Sequence, residues 1–251
     1  MTLKEREMEP EAQTGTDPST AVWQHFWSTL TGSPGEIFWD ADPHEAAQDF
    51  ALVRTRMDRS LPLVDIGCGN GRHTHFLAQH FGRVIGTDLS TAAVDRAQAA
   101  DASPHIVYHT LDVRDQRDTE NFSATIGDAN VHIRGVLHRM PQADREAAVR
   151  GIERLLGTAG TLYLKELSPA TEAYFGRLID QHGTPPGLAR ALQSGSGPGT
   201  IGLKELARLF PPDRFAVLAT GDSLIQTTNQ LPDGEAIQVP AVYAVIRRQP
   251  G

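Results

Sequence analysis

The chain has 251 residues, enough for one large α/β domain with a buried core and too few for two. Hydrophobic residues make up 39% and charged residues 22%, a globular balance rather than a disordered one. Lys and Arg number 23 against 31 Asp and Glu, and the net charge of −8 argues against a nucleic-acid partner, which would call for many cations along the phosphates.

Residues 1–20 are polar and punctuated by Pro10, Gly15 and Pro18, and read as a disordered tail. Trp23, Phe26, Trp27 and Leu30 then follow one helical face. Gly32-Ser33-Pro34-Gly35 turns the chain towards Ile37-Phe38-Trp39, and a second helix is expected from Pro43 to about Arg59. Residues 21–60 therefore read as an amino-terminal helical cap, and 61–251 as the main domain.

From Leu61 strands and helices alternate. Strands are expected at Leu63–Ile66, Arg83–Asp88, Ile106–His109, Val131–Leu137 and Gly160–Glu166; helices are expected at Arg72–Phe81, Ser90–Ala100 and Asp144–Leu156. This alternation predicts a mostly parallel sheet covered on both faces. Gln181–Thr200 is rich in Gly, Pro and Ser and reads as a long irregular connection, a functional lid or a disordered stretch. A short helix at Leu203–Phe210 precedes two closing strands, Phe215–Ala219 and Val239–Ile246.

The segment that carries chemistry is Asp65-Ile66-Gly67-Cys68-Gly69-Asn70-Gly71-Arg72. A strand ends, three glycines alternate and a helix begins, so the backbone can approach a ligand and the first helical N–H groups can receive its polar atoms. Open α/β sheets bind ligands at that end of the strand. The third glycine comes one position too early for a dinucleotide fingerprint, and Arg72 stands where that glycine belongs, so nicotinamide cofactors are disfavoured. Asp88, at the end of the second strand, stands where a carboxylate would hold a ribose diol.

These segments resemble the class I S-adenosylmethionine-dependent methyltransferase family, over about residues 60 to 248. The resemblance implies a Rossmann-like fold with a mostly parallel seven-stranded sheet, helices on both faces and an amino-terminal helical lid. It implies S-adenosylmethionine as cofactor, with Asp65, Gly67, Cys68, Gly69, Asn70 and Gly71 as the first motif. Asp88 and Leu89 fall at the ribose, and Asp112 and Val113 at the adenine. Val136-Leu137-His138 matches the segment beside the methionine moiety and the substrate. The fourth strand departs from the family pattern, with His132 and Arg134 where an acid and apolar residues are common. His132 and Arg134 either bind an acidic substrate group or simply reach the sheet's polar end, and Arg134 is counted among the expected cofactor-binding residues.

His138 is the expected catalytic base, because an imidazole titrates near neutral pH; the competing reading is a histidine packed at a strand end. Trp23, Trp27, Trp39 and His138 are the expected substrate-binding residues, with the tryptophans either docking the cap on the sheet or walling the acceptor site. No metal site is expected: His73 and His75 point to different helix faces, and Cys68 is the sole cysteine. One cysteine precludes an intramolecular disulfide, and with no apolar run of signal-peptide or membrane-spanning length the expected location is cytoplasmic, without a membrane partner. The implied activity is methyl transfer to a small-molecule acceptor of secondary-metabolite type. The alternative is a relative that catalyses a non-methylating rearrangement or serves as a binding scaffold. Oligomeric state is left open.

Overall fold

The computed structural model describes residues 18–33, 35–40, 43–101, 103–193 and 199–249. Two helices come first, α1 (Pro18–Ser28) and α2 (Pro43–Val53). The alternating body follows as β1 (Leu63–Ile66), α3 (Arg72–Leu77), β2 (Val84–Asp88), α4 (Thr91–Ala100), β3 (Ile106–Thr110), α5 (Gln116–Ile126) and β4 (Asn130–Arg134). After a 3-10 turn at Leu137–Arg139 come α6 (Gln142–Leu156), β5 (Thr161–Leu167), α7 (Ala170–His182), α8 (Pro186–Gln193) and α9 (Leu203–Leu209). A long hairpin closes the sheet, β6 (Phe215–Gln230) with β7 (Ala236–Arg248).

The seven strands lie in the order β3-β2-β1-β4-β5-β7-β6, with β1 to β5 parallel and β7 antiparallel to both of its neighbours. The chain runs outward from β1 through β2 to β3, then returns to β4 on the other side of β1. That reversal opens a crevice between β1 and β4 at their carboxyl ends, where ligands of such sheets bind.

Burial on both faces explains the continuous apolar runs of the central strands. Val64, Ile66, Val131, Ile133, Leu162 and Leu164 point to a core covered by α6 and α9. Leu63, Val84, Tyr163 and Val245 point to the opposite face, against Val53 and Met57 beside α2 and Leu77 and Phe81 beside α3. The Ser90 hydroxyl accepts the Ala93 N–H and caps α4; the Asp115 carboxylate accepts the Arg117 and Asp118 N–H groups and caps α5. Among the described residues no helix is long and apolar enough to cross a membrane.

Several sequence expectations change: the second helix, expected to reach about Arg59, ends at Val53, and the closing strand expected at Phe215–Ala219 runs on to Gln230. Helix α1 begins at Pro18, inside the stretch read as a tail, because Phe26 and Trp27 on its inner face are buried; residues 1–17 lie outside the described ones. Strand β4 ends at Arg134, since Gly135 takes φ 74° and breaks the extended backbone, so Val136-Leu137-His138 enters a turn instead of ending a strand. Much of the expected irregular connection is helical: α7 runs to His182, and α8 buries Leu188 and Ala191. Residues 194–198 of that connection lie outside the described ones.

Candidate active site

The crevice at the carboxyl ends of β1, β2 and β4 is a cleft with about 1060 Å³ of empty space, partly open to solvent. Every residue expected at the cofactor lines it except Gly71: Asp65, Gly67, Cys68, Gly69, Asn70, Asp88, Leu89, Asp112, Val113 and Arg134. Gly71 caps α3 at φ 81° immediately behind. Trp23, Trp27 and Trp39 close the cleft from the amino-terminal side.

Backbone bonds hold the glycine loop to β2. Gly67 and Cys68 donate their N–H groups to the Thr87 carbonyl at 2.7 and 2.9 Å. Asp88 accepts the Gly69 N–H at 3.1 Å through Oδ2 and the Ser90 N–H at 2.9 Å through Oδ1. Burial raises the Asp88 carboxyl to about 6, against the lowering effect of the Ser90 and Gly69 amides. The carboxylate is therefore fixed in place, costly to ionise when dry, and ready for hydroxyl donors. Those properties suit a ribose diol. Cys68 sits in the loop as a buried thiol, its pKa pushed well up by burial and by the Asp88 and Asp65 carboxylates, which is the opposite of an activated nucleophile.

Other expected ligands are already engaged by the protein. Asp65 bonds the His132 ring at 2.8 Å and accepts the Thr74 hydroxyl at 2.6 Å, tying β1 to β4 and α3. Asn70 donates to Asp40 at 2.9 Å, and Arg72 pairs with Asp40 at 3.0 Å, so the loop is latched to the segment after Trp39. The Arg114 guanidinium grips Asp112 at 2.8 Å and bridges to Asp144 at 2.9 Å. Arg134 is buried; it pairs with Glu45 of α2 at 2.6 Å and donates to the Trp39 carbonyl at 2.7 Å and the Gln226 carbonyl at 3.3 Å. Lys165 completes that group, 3.0 Å from Glu45 and 2.5 Å from Asp49. The polarity that looked anomalous in β4 thus joins α2, the Trp39 segment and β6.

A second cavity, partly open to solvent and with about 570 Å³ of empty space including that opening, adjoins the cleft; Trp39, Arg134, Gly135 and Arg139 line both. Of the expected substrate residues, Trp39 and His138 line this second cavity, whereas Trp23 and Trp27 belong to the cleft. The Arg139 guanidinium lies 5.1 Å from the Trp23 ring and 5.0 Å from the Trp39 ring. Burial lowers its pKa to about 10, which leaves it cationic at neutral pH.

The arrangement around His138 includes a residue the sequence did not single out. His138 Nδ1 lies 2.6 Å from Glu166 Oε2, and Glu166 also accepts the N–H groups of Val136, Leu137 and His138 at 3.2, 2.9 and 3.1 Å. One buried carboxylate therefore folds the 3-10 turn around itself and fixes the ring. It assigns the proton to Nδ1 and leaves Nε2 as an acceptor. Burial lowers the His138 pKa, opposed by Glu166 and assisted by Arg139 and Arg145, so the ring is neutral near pH 7.

The model of a family described as "Methyltransferase domain" matches residues 63–160. A solved structure described as a SAM-dependent methyltransferase from Anabaena variabilis ATCC 29413 superposes with a TM-score of 0.86 at 32% identity, over 92% of this chain and 95% of that one. The dTDP-3-amino-3,6-dideoxy-alpha-D-glucopyranose N,N-dimethyltransferase of Streptomyces fradiae is 35% identical over 43% of this chain and 40% of its own length. A dTDP-3-amino-3,4,6-trideoxy-alpha-D-glucopyranose N,N-dimethyltransferase of Streptomyces venezuelae is 33% identical over 33% of this chain. The matched region thus spans 40% of the first of these curated relatives and 34% of the second. The strand order, the glycine loop with Asp88, and a full-length structural relative at this identity together make the chain a member of the class I S-adenosylmethionine-dependent methyltransferase family.

Proposed function

We propose that the protein binds S-adenosylmethionine in the cleft and transfers its methyl group to a small-molecule acceptor. The observation that carries this reading is Asp88, a buried carboxylate held by the amides of Gly69 and Ser90 at the edge of the glycine loop. Asp88 and Leu89 would hold the ribose, with Gly67, Cys68, Gly69, Asn70 and Gly71 forming the loop beneath. Asp112 and Val113 would meet the adenine, sharing the Asp112 carboxylate with Arg114. Asp65 and Arg134 would act on the methionine end largely through the partners they already hold in place.

The sulfonium supplies an activated methyl group for in-line displacement. The chain's contribution is to position the acceptor and keep water away, for which alignment alone can be worth several kcal/mol. His138, neutral and with Nε2 as an acceptor, is the residue that would take the proton of an acceptor that must lose one. The curated relatives named as amino-sugar N,N-dimethyltransferases support a small molecule as acceptor. Isothermal titration with S-adenosylmethionine, S-adenosylhomocysteine and NAD tests the cofactor. The two sulfur ligands should bind and NAD should not, and product mass should then rise by one methyl group per turnover. Binding of NAD alone, or a product of unchanged mass, would contradict the reading.

A further inference from the structure

We infer that the second cavity is the acceptor site, and that it takes an apolar, ring-bearing molecule through a weakly acidic hydroxyl of the phenol class, with His138 as base and Glu166 as the residue that positions it. This rests on the methyltransferase reading above.

Four observations converge. First, the cavity is walled by Phe38, Phe175, Leu192, Ile225 and Val239, with Phe38 and Phe175 edge-on at 5.8 Å, which suits an apolar ring. Second, it lies beside the cofactor cleft, with Trp39, Arg134, Gly135 and Arg139 lining both. Third, the His138 ring meets this shared wall: its Cε1 lies 3.6 Å from where a Cβ of Gly135 would stand. Because Nδ1 is committed to Glu166, Nε2 is the ring nitrogen left to accept a proton from a molecule in the cavity that His138 lines.

Charge is the fourth observation. Among the described residues no carboxylate lines the cavity; of its two guanidinium groups Arg134 is paired with Glu45, and Arg139 brings a cation to the wall shared with the cleft. An ammonium acceptor would enter beside Arg139 and next to a sulfonium, with no carboxylate in the cavity lining to meet it. A neutral hydroxyl that develops negative charge on oxygen is favoured there, with Arg139 alongside.

The step balances without further reagents. The acceptor O–H proton passes to His138 Nε2, and an oxygen lone pair forms the new O–CH₃ bond. The S–CH₃ bond breaks, and its electron pair stays on sulfur as the neutral thioether. His138 then returns its proton to water. Glu166 takes part only by holding the ring and balancing the transient imidazolium.

Matched aromatic probes decide the matter: 2-naphthol and 2-naphthylmethylamine, presented to the S-adenosylhomocysteine complex and followed by tryptophan fluorescence, then presented with S-adenosylmethionine and followed by product mass. 2-Naphthol should bind at least tenfold more tightly than the amine and should be methylated, and Ile225→Trp, which fills the cavity, should abolish both. His138→Ala should lower kcat about 100-fold, with KM nearly unchanged and partial rescue by imidazole. Glu166→Gln should lower kcat and move the acid limb of the rate profile to lower pH, since Glu166 is what raises the His138 pKa against burial, Arg139 and Arg145. Should Glu166→Gln fail to fold, the imidazole rescue of His138→Ala carries the test. If S-adenosylhomocysteine binds normally but the amine is preferred, Ile225→Trp changes nothing, or His138→Ala keeps full kcat, the acceptor assignment is overturned while the cofactor reading stands. Failure of S-adenosylhomocysteine to bind would overturn both.

Discussion

The indole of Trp27 lies over Gly69 so closely that a Cβ on the glycine would stand 2.8 Å from Cη2 and Cζ2 of the ring. Helix α1 thus packs directly on the cofactor loop, at a residue whose φ of 56° already disfavours a side chain. Trp27 is buried and edge-on to Phe26 at 5.4 Å, so the ring has little freedom to move away.

Gly69→Ala should therefore cost affinity and stability together. The strained φ alone is worth about 1–2 kcal/mol, and displacement of Trp27 adds to it. Titration with S-adenosylhomocysteine should show at least a tenfold loss, and urea unfolding a lower midpoint. Unchanged affinity would mean that the loop and α1 adjust freely and that their contact is incidental.

Asp88 gives the ligand-free protein a distinct pH dependence. Its folded pKa, about 6, exceeds the ordinary carboxylate value, so between roughly pH 4 and 6 the folded state holds more protons than the unfolded one. Its stabilising contribution is complete below pH 4 and is lost as pH rises through 6, roughly 3 kcal/mol in all. Asp88→Asn should remove that slope from urea unfolding measured between pH 4.5 and 7.5. Ligand affinity should run the opposite way, rising through pH 6 as the carboxylate becomes available to the ribose, and the Asn variant should bind weakly at every pH.

Lys165 is buried between two carboxylates, Glu45 at 3.0 Å and Asp49 at 2.5 Å. Lys165→Met would leave Asp49 buried without its cation, a loss of about 3–5 kcal/mol. Asp49 is already pushed up by burial, with Lys165 as the main opposing influence. Its folded pKa should rise further in the variant, so the destabilisation should grow as pH increases through that value. A destabilisation that does not change with pH in urea titrations would show that lost packing, and not the orphaned carboxylate, is responsible.

The same group explains why parts of the site could not be read from the sequence. The glycine loop, Asp88 and the capping Ser90 are local features, set by backbone conformation within a few residues, and the spacing of Gly67, Gly69 and Gly71 exposed them. The arginine in β4 looked like a ligand because its partner Glu45 lies 89 residues earlier and the Trp39 carbonyl 95 residues earlier. Glu166 escaped notice because it follows Lys165 near the end of β5, where a charged pair looks solvated, and its partner His138 lies 28 residues earlier. Helix α8 was hidden by Gly and Pro at its start, although Leu188 and Ala191 keep the spacing of a buried face. The second cavity is built from Phe38, Phe175, Ile225 and Val239, which come from the segment before α2, from α7 and from the β6–β7 hairpin and meet only in the folded chain.

The proposed S-adenosylmethionine site in the cleft at β1 and β2 depends on Asp88. Its most direct test is isothermal titration of the native chain and of Asp88→Ala with S-adenosylhomocysteine, with circular dichroism to verify that both are folded. The native chain should show one site, and the variant a site at least 100-fold weaker. Equal affinity for the two folded proteins, or no binding to the native chain, would contradict this assignment.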